Sequence, residues 1–204
     1  MKSYFALATI SLFLLSSAFG QTGTTTSMQE KLPYEEIGDS PETYTSATVA
    51  ARMIDGLGYR YYWATEGLRE EDLNFKPSDD ARTTMETIFH LYGLSGTIVN
   101  ASKNAPNIRP AENVPEGYEA LRAATLKNLA EASEILKKNP DQDMSELKVI
   151  FQNGENRSEF PYWNMINGPI ADAIYHTGQV VSFRRSSGNP MNPKVSVFSG
   201  KNRP

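Results

Sequence analysis

Hydrophobic residues recur at helical spacing in four separate stretches of this chain. In the first, Val49, Met53, Ile54, Leu57, Tyr61, Ala64 and Leu68 line up on one side of a helix running from about Pro41 or Thr45 to Gly67. Ser40-Pro41-Glu42 suits its start, since proline is tolerated in a first turn. The second helix is expected over Thr83 to Ser102, opened by the capping box Thr83-x-x-Glu86. The third spans about Pro115 to Lys138, with Leu121, Leu126, Leu129, Ile135 and Leu136 apolar, and Asn139-Pro140 ends it. The fourth runs from about Pro161 to Ser187 and stops at Gly188-Asn189-Pro190. Between the last two, Lys148-Val149-Ile150-Phe151 and Ser158-Glu159-Phe160 flank Asn153-Gly154, which predicts a small β-hairpin. The expected class is therefore all-α, a four-helix bundle with that hairpin between helices three and four.

The faces of two helices bear on function. Helix four carries an apolar stripe, Ile166, Ile170, Ile174, Thr177 and Val181, expected in the main core. A second stripe holds Met165, Asp172, His176, Gln179 and Phe183, and is expected to face a pocket or another helix. Gly168-Pro169 predicts a kink one turn before Asp172, because proline removes a helical hydrogen bond. Helix two is apolar on nearly every side, with Met85, Ile88, Phe89 and Tyr92 on one stripe and His90, Leu94, Thr97 and Ala101 on another. Trp163, with Phe160 and Tyr162, is expected to fix the start of helix four.

Ahead of the helices, residues 1–20 have the form of a signal peptide: Lys2, an apolar run from Phe5 to Leu15, then Ala18-Phe19-Gly20 before Gln21. That run is short for a membrane span, which needs about 20 apolar residues. The expectation is an exported protein, periplasmic or secreted, with no stable membrane insertion after cleavage. Residues 21–40 are polar and read as a flexible leader, residues 41–190 as the helical domain and residues 191–204 as a C-terminal tail. The chain has no cysteine, which removes disulfides, thiolate nucleophiles and Cys-based zinc sites. A formal net charge of -4 argues against a nucleic-acid partner, since phosphate binding needs a concentrated basic surface. The expected partner is a small molecule, with a homodimer left open.

Candidate chemistry centres on helix four. Asp172 and His176 stand four residues apart and project from one face. A carboxylate and an imidazole so placed are able to share one ion if a third ligand joins them; a plain hydrogen-bonded pair is the simpler alternative. His90 is the only other histidine, and periodicity alone leaves its direction open. Gln179 reads as an orienting partner or, more simply, as polar filler. Glu86, one turn before His90, is a weak candidate base. Tyr59, Tyr61, Tyr62 and Trp63 read first as core and rim packing. Arg184 and Arg185 read as charge at the helix C-terminus rather than an anion site. Asn100-Ala101-Ser102 and Asn156-Arg157-Ser158 fit a glycosylation pattern, and no phosphate loop or nucleophile elbow is present.

Several segments together resemble the DinB-like family, also described as metal-dependent hydrolases. They are Tyr62-Trp63-Ala64-Thr65-Glu66-Gly67-Leu68, Glu71-Asp72-Leu73-Asn74-Phe75-Lys76-Pro77, Met85 with His90, Trp163 to Asp172, His176-Thr177-Gly178-Gln179, and Arg184 to Pro190. The similarity runs from about Thr45 to Pro190. It implies a bundle of four helices with a pocket at one end and a divalent metal held by three side chains. His90 matches the ligand position on the second helix, and Asp172 and His176 match the pair on the last. Asp172 departs from the usual all-histidine set, so the resemblance leaves zinc, nickel, iron and manganese open. It further implies a hydrolase or a small-thiol transferase; the rival reading is a non-catalytic exported module that binds a ligand or partner.

Overall fold

The structure, a computed structural model, describes residues 31–204 together with Met1. The expected signal peptide and most of the expected leader therefore lie outside the described residues. The described part is a helical protein with a small three-stranded sheet.

Helix α1 spans Ser46–Thr65 and begins where Thr45 and Thr48 cap each other reciprocally. Pro41 lies outside it, so the later of the two expected starts is the observed one. A short helix α2, Glu70–Asn74, follows Gly67, whose φ of +67° reverses the chain at the end of α1. Helix α3, Thr84–Ser102, opens with the expected capping box: the Thr83 N–H donates to Glu86 Oε2 at 2.7 Å, and the Glu86 N–H donates to Thr83 Oγ1 at 3.1 Å. Strand β1, Pro106–Arg109, leads to helix α4, Tyr118–Lys138. Strands β2, Lys148–Asn153, and β3, Asn156–Pro161, form the expected hairpin around Gly154. The chain ends its helical part with α5, Trp163–Met165, a π-helical turn at Ile166–Ile170, and α6, Ala171–Ser186.

The hairpin is not alone, which corrects the all-α expectation. Strand β1 pairs parallel to β2, with Asn107 opposite Phe151 and Arg109 opposite Asn153, so α4 is the crossover of a β-α-β unit. Each of α1 and α3 packs on both α4 and α6, and their apolar faces make one core that includes Ile54, Leu57, Tyr61, Ile88, Leu91, Ile98, Leu126 and Leu129. Tyr59 and Tyr61 are fully buried, as the core reading of the aromatic run expected.

The core face of helix four differs from the expected stripe. The buried line is Ile170, Ala173, Thr177, Val180 and Arg184, whereas Ile166, Ile174 and Val181 are only partly buried. Met165, assigned to the polar stripe, is also fully buried. The π turn explains both shifts. It spends an extra residue in one turn, so Met165 and Ile170 align five apart, and a straight 3.6-residue period cannot be carried through it. Pro169, which has no N–H to donate, sits inside that turn, where a simple kink was expected. Trp163 is 76% exposed, and Tyr162 is the buried anchor at the start of this helix instead.

The flanking segments differ as well. From Lys31 on, the expected leader lies against α1: Ile37 is buried, and Trp63 Nε1–H donates to the Glu35 carbonyl at 3.1 Å. The expected tail meets it there. The Ile37 N–H donates to the Gly200 carbonyl at 2.8 Å, and Tyr59 Oη donates to Asn202 at 3.0 Å. Gly58 is required by this arrangement, since a Cβ there would lie 2.4 Å from the Tyr34 ring.

Arg184, expected to act as surface charge, is buried. It donates from Nη1 to the carbonyls of Trp63 and Ala64, both at 3.0 Å, and from Nε to the Asn189 carbonyl at 2.7 Å. It thereby satisfies the last carbonyls of α1 and ties α1 to α6. Beside it, Asp72 is fully enclosed and accepts from the Arg69 guanidinium, Ser187 Oγ and Asn189 Nδ2.

Candidate metal centre

The trio is assembled from two helices that the core forces together. On α3, Ile88 and Leu91 are buried in the core, which turns His90 toward α6 with 32% of its side chain exposed. On α6, burial of Ala173 and Thr177 leaves Asp172 and His176 on the flank that faces α3. The π turn ends at Ile170, two residues before Asp172, so it sets the phase in which that carboxylate leaves the helix.

The geometry is tight. Asp172 lies between the two imidazoles, with Oδ2 3.2 Å from His90 Nε2 and Oδ1 3.3 Å from His176 Nε2. The rings of His90 and His176 stand edge to face, with centroids 4.6 Å apart. One ligand atom from each of the three residues lies within 4.8 Å of the others. Ligands at about 2.0–2.2 Å from one zinc-like ion are spaced by roughly 3–4 Å, so rotation of the half-exposed Asp172 closes the remaining gap. The structure thus brings together all three residues singled out in the sequence.

Of the two sequence readings of Gln179, orienting partner or the simpler polar filler, the structure favours the first. His176 Nδ1–H donates to Gln179 Oε1 at 2.7 Å, one turn further along α6. That bond places a proton on Nδ1 and orients Nε2 toward the Asp172 carboxylate. In the neutral ring Nε2 and the carboxylate are both acceptors, 3.3 Å apart, so a positive charge, a proton or a metal ion, belongs between them. The donor set therefore fits a divalent ion: two imidazole nitrogens and a carboxylate, a mixture used by zinc, iron, manganese and nickel sites. Nothing in the set is soft enough to demand copper(I), because no thiolate is available.

Glu86 does not act here. Its carboxylate is occupied by the Thr83 N–H and hydroxyl, and the backbone bond first of all holds its ionisation below the usual glutamate range. Its place as a candidate base is withdrawn on that ground.

Two grooves meet at His90. One, of about 620 Å³, holds the trio, with Tyr175, Gln179, Phe183, Pro77 and Arg82 around it. The other, of about 680 Å³, runs between α3 and the sheet and is lined by Met85, Phe89, Leu94 and Phe151, with Pro169 and Arg109. This second groove was not visible in the sequence. It needs β1 beside β2, and a parallel pairing across a whole helix leaves no local signal. Gln179 was within reach, since it stands three residues from His176 on one helix face. Among the described residues no helix is long and apolar enough to cross a membrane. Comparison of the chain with models of known families, with characterised proteins and with solved structures finds no match in any of the three.

Proposed function

We propose that this chain is a metal-dependent enzyme of the DinB-like four-helix-bundle type, a hydrolase or small-thiol transferase acting on a small molecule outside the cytoplasm. The observation that carries the reading is the convergence of His90, Asp172 and His176, with the His176 ring oriented by Gln179 so that Nε2 faces the Asp172 carboxylate. A divalent ion held by these three supplies a fixed electrophile that polarises a carbonyl, a thiol or water. The residues of the chain supply the rest. Gln179 holds the ring of His176 in one orientation and one tautomer. Asp172 offers an oxygen to each histidine side and brings the net charge of the donor set to minus one, which favours a dication. Two of the three side chains are about a third or more exposed, so a substrate has access from the groove side.

The rival reading is a binding module in which the trio is a hydrogen-bond network. In it His176 donates from Nε2–H to Asp172, either as an imidazolium that also donates from Nδ1–H to Gln179 Oε1 or as the other neutral tautomer with the Gln179 amide reversed. Metal content separates the two. Protein purified without a histidine tag or added metal is expected to carry one equivalent, and His176→Ala to carry none, because two ligands rarely hold an ion against water. Equal trace metal in both proteins would favour the network. Export is tested separately by the intact mass of protein recovered outside the cytoplasm: a chain beginning near Gln21 supports it, and a chain retaining residues 1–20 in a membrane fraction opposes it.

A further inference from the structure

The groove between α3 and the sheet has features that the metal centre does not use. Phe89 is 53% exposed although it lies in the middle of a well-formed helix, and it faces Phe151 of β2 across the groove. An aromatic left in water beside a second apolar wall costs free energy in proportion to its exposed area. With Met85, Leu94 and Phe151 it gives the groove the apolar walls that small-molecule sites have. Gly93 lines the same groove. It sits inside α3, where glycine costs about 0.5–1 kcal/mol relative to alanine. Neither backbone nor packing calls for it, because a Cβ at Gly93 would meet no atom within 4 Å. What the missing side chain does provide is open depth in the groove.

The charges at the groove are unequal. Two arginines, Arg82 and Arg109, and one carboxylate, Glu86, line it, and the helix cap on Oε2 keeps Glu86 ionised. Arg109 lines the groove from the end of β1 and has no acidic partner or hydrogen-bond acceptor for its guanidinium among the described residues. An apolar trough with two guanidinium groups against one carboxylate, and with Arg109 unpaired, is complementary to a molecule with an apolar body and a carboxylate.

From these observations we propose that the α3–sheet groove binds a small amphipathic carboxylate, its apolar body between Phe89 and Phe151 and its carboxylate on Arg109. Because His90 walls both this groove and the metal centre, such a molecule is delivered next to the proposed ion; that last step rests on the metal reading, while the binding itself does not.

The test uses octanoate as the probe, with octylammonium and 1-octanol as charge controls, on the mature chain both metal-loaded and chelator-treated, by calorimetry. Octanoate is expected to bind about tenfold more tightly than octylammonium in both preparations, the size of one charge-assisted contact. Arg109→Gln is expected to weaken octanoate about tenfold and to leave 1-octanol unchanged. Gly93→Leu is expected to abolish binding of both, whereas Gly93→Ala keeps it and melts higher, which shows that the helix tolerates a side chain there. Octanoate binding no tighter than octylammonium, or unaltered in Arg109→Gln, would overturn the proposal. Octanoate binding to a protein that carries no metal as purified and takes up none when metal is added leaves the groove standing and removes the metal reading; one equivalent of metal without octanoate binding does the reverse.

Discussion

Asp72 offers a quantitative test of how α6 is held in register with α1, on which the position of the trio depends. Its side chain is fully buried. It accepts the Arg69 backbone N–H at 2.8 Å, Arg69 Nε and Nη2 at 3.0 and 2.9 Å, Ser187 Oγ at 2.5 Å and Asn189 Nδ2 at 2.6 Å. Ser187 and Asn189 follow α6 directly, so this one carboxylate joins the turn after α1 to the end of the last helix. Asp72→Asn keeps the shape but turns one oxygen into a donor that faces other donors. Breaking a buried charged pair costs about 3–5 kcal/mol. For a domain of this size each 1 kcal/mol moves Tm by roughly 2–4 °C, so a fall of about 6–20 °C is expected. The pH dependence carries a sign. The Arg69 guanidinium, and then the bonds from Ser187 and Asn189, hold the Asp72 carboxyl well below the usual carboxylate range. A depressed folded pKa gives stability that is fully present above the unfolded value, about 3.9 for aspartate, and is lost as pH falls toward the folded one. The assay is urea unfolding of wild type and Asp72→Asn from pH 7 down to pH 2. The difference between them is expected to be constant above about pH 5 and to shrink below about pH 4. A difference under about 1 kcal/mol at pH 7, or one that grows on acidification, would refute the reasoning.

Other expectations follow from the same packing. Ile170→Ala is expected to cost about 2–5 kcal/mol in chemical unfolding because Ile170 is fully buried, and Ile174→Ala clearly less because Ile174 is only partly so; equal losses would contradict the observed face of α6. Gly58→Ala is expected to lower stability by about 1–3 kcal/mol, since its methyl would meet the Tyr34 ring, and a variant as stable as wild type would show that residues 31–40 do not lie where the structure has them. Apparent metal affinity is expected to weaken on acidification, because protons compete with the ion for the imidazole nitrogens; an affinity by equilibrium dialysis that does not change between pH 8 and pH 5 would contradict histidine ligation.

Much of this arrangement was legible in the chain wherever the signal was local. The Thr83 and Glu86 capping box placed the start of α3, and Asn153-Gly154 between two β-prone runs placed the hairpin. The i, i+4 spacing of Asp172 and His176 placed two of the three residues of the trio, and the direction of His90 was expected only from the resemblance. The misreadings share a cause, which is that they depend on distant partners or on a broken period. Strand β1 holds a proline and four residues in all, and becomes a strand only because β2 lies beside it. Arg184 looks like a surface cation until the α1 carbonyls it satisfies are in view. Residues 31–40 and 191–204 are polar and carry no period, yet a single buried Ile37 against Gly200 is enough to fasten them together. The π turn defeated the assignment of faces because it moves every later residue by a fraction of a turn.

The central claim is that one ion joins α3 to α6 through His90, Asp172 and His176. The most direct measurement is an anomalous difference map from crystals of the untagged protein, collected at the absorption edge of whichever metal the native protein is found to carry. The account predicts a single strong peak about 2.0–2.2 Å from His90 Nε2, from one Asp172 oxygen and from His176 Nε2, with Gln179 Oε1 still accepting from His176 Nδ1. A map with no peak there would contradict it.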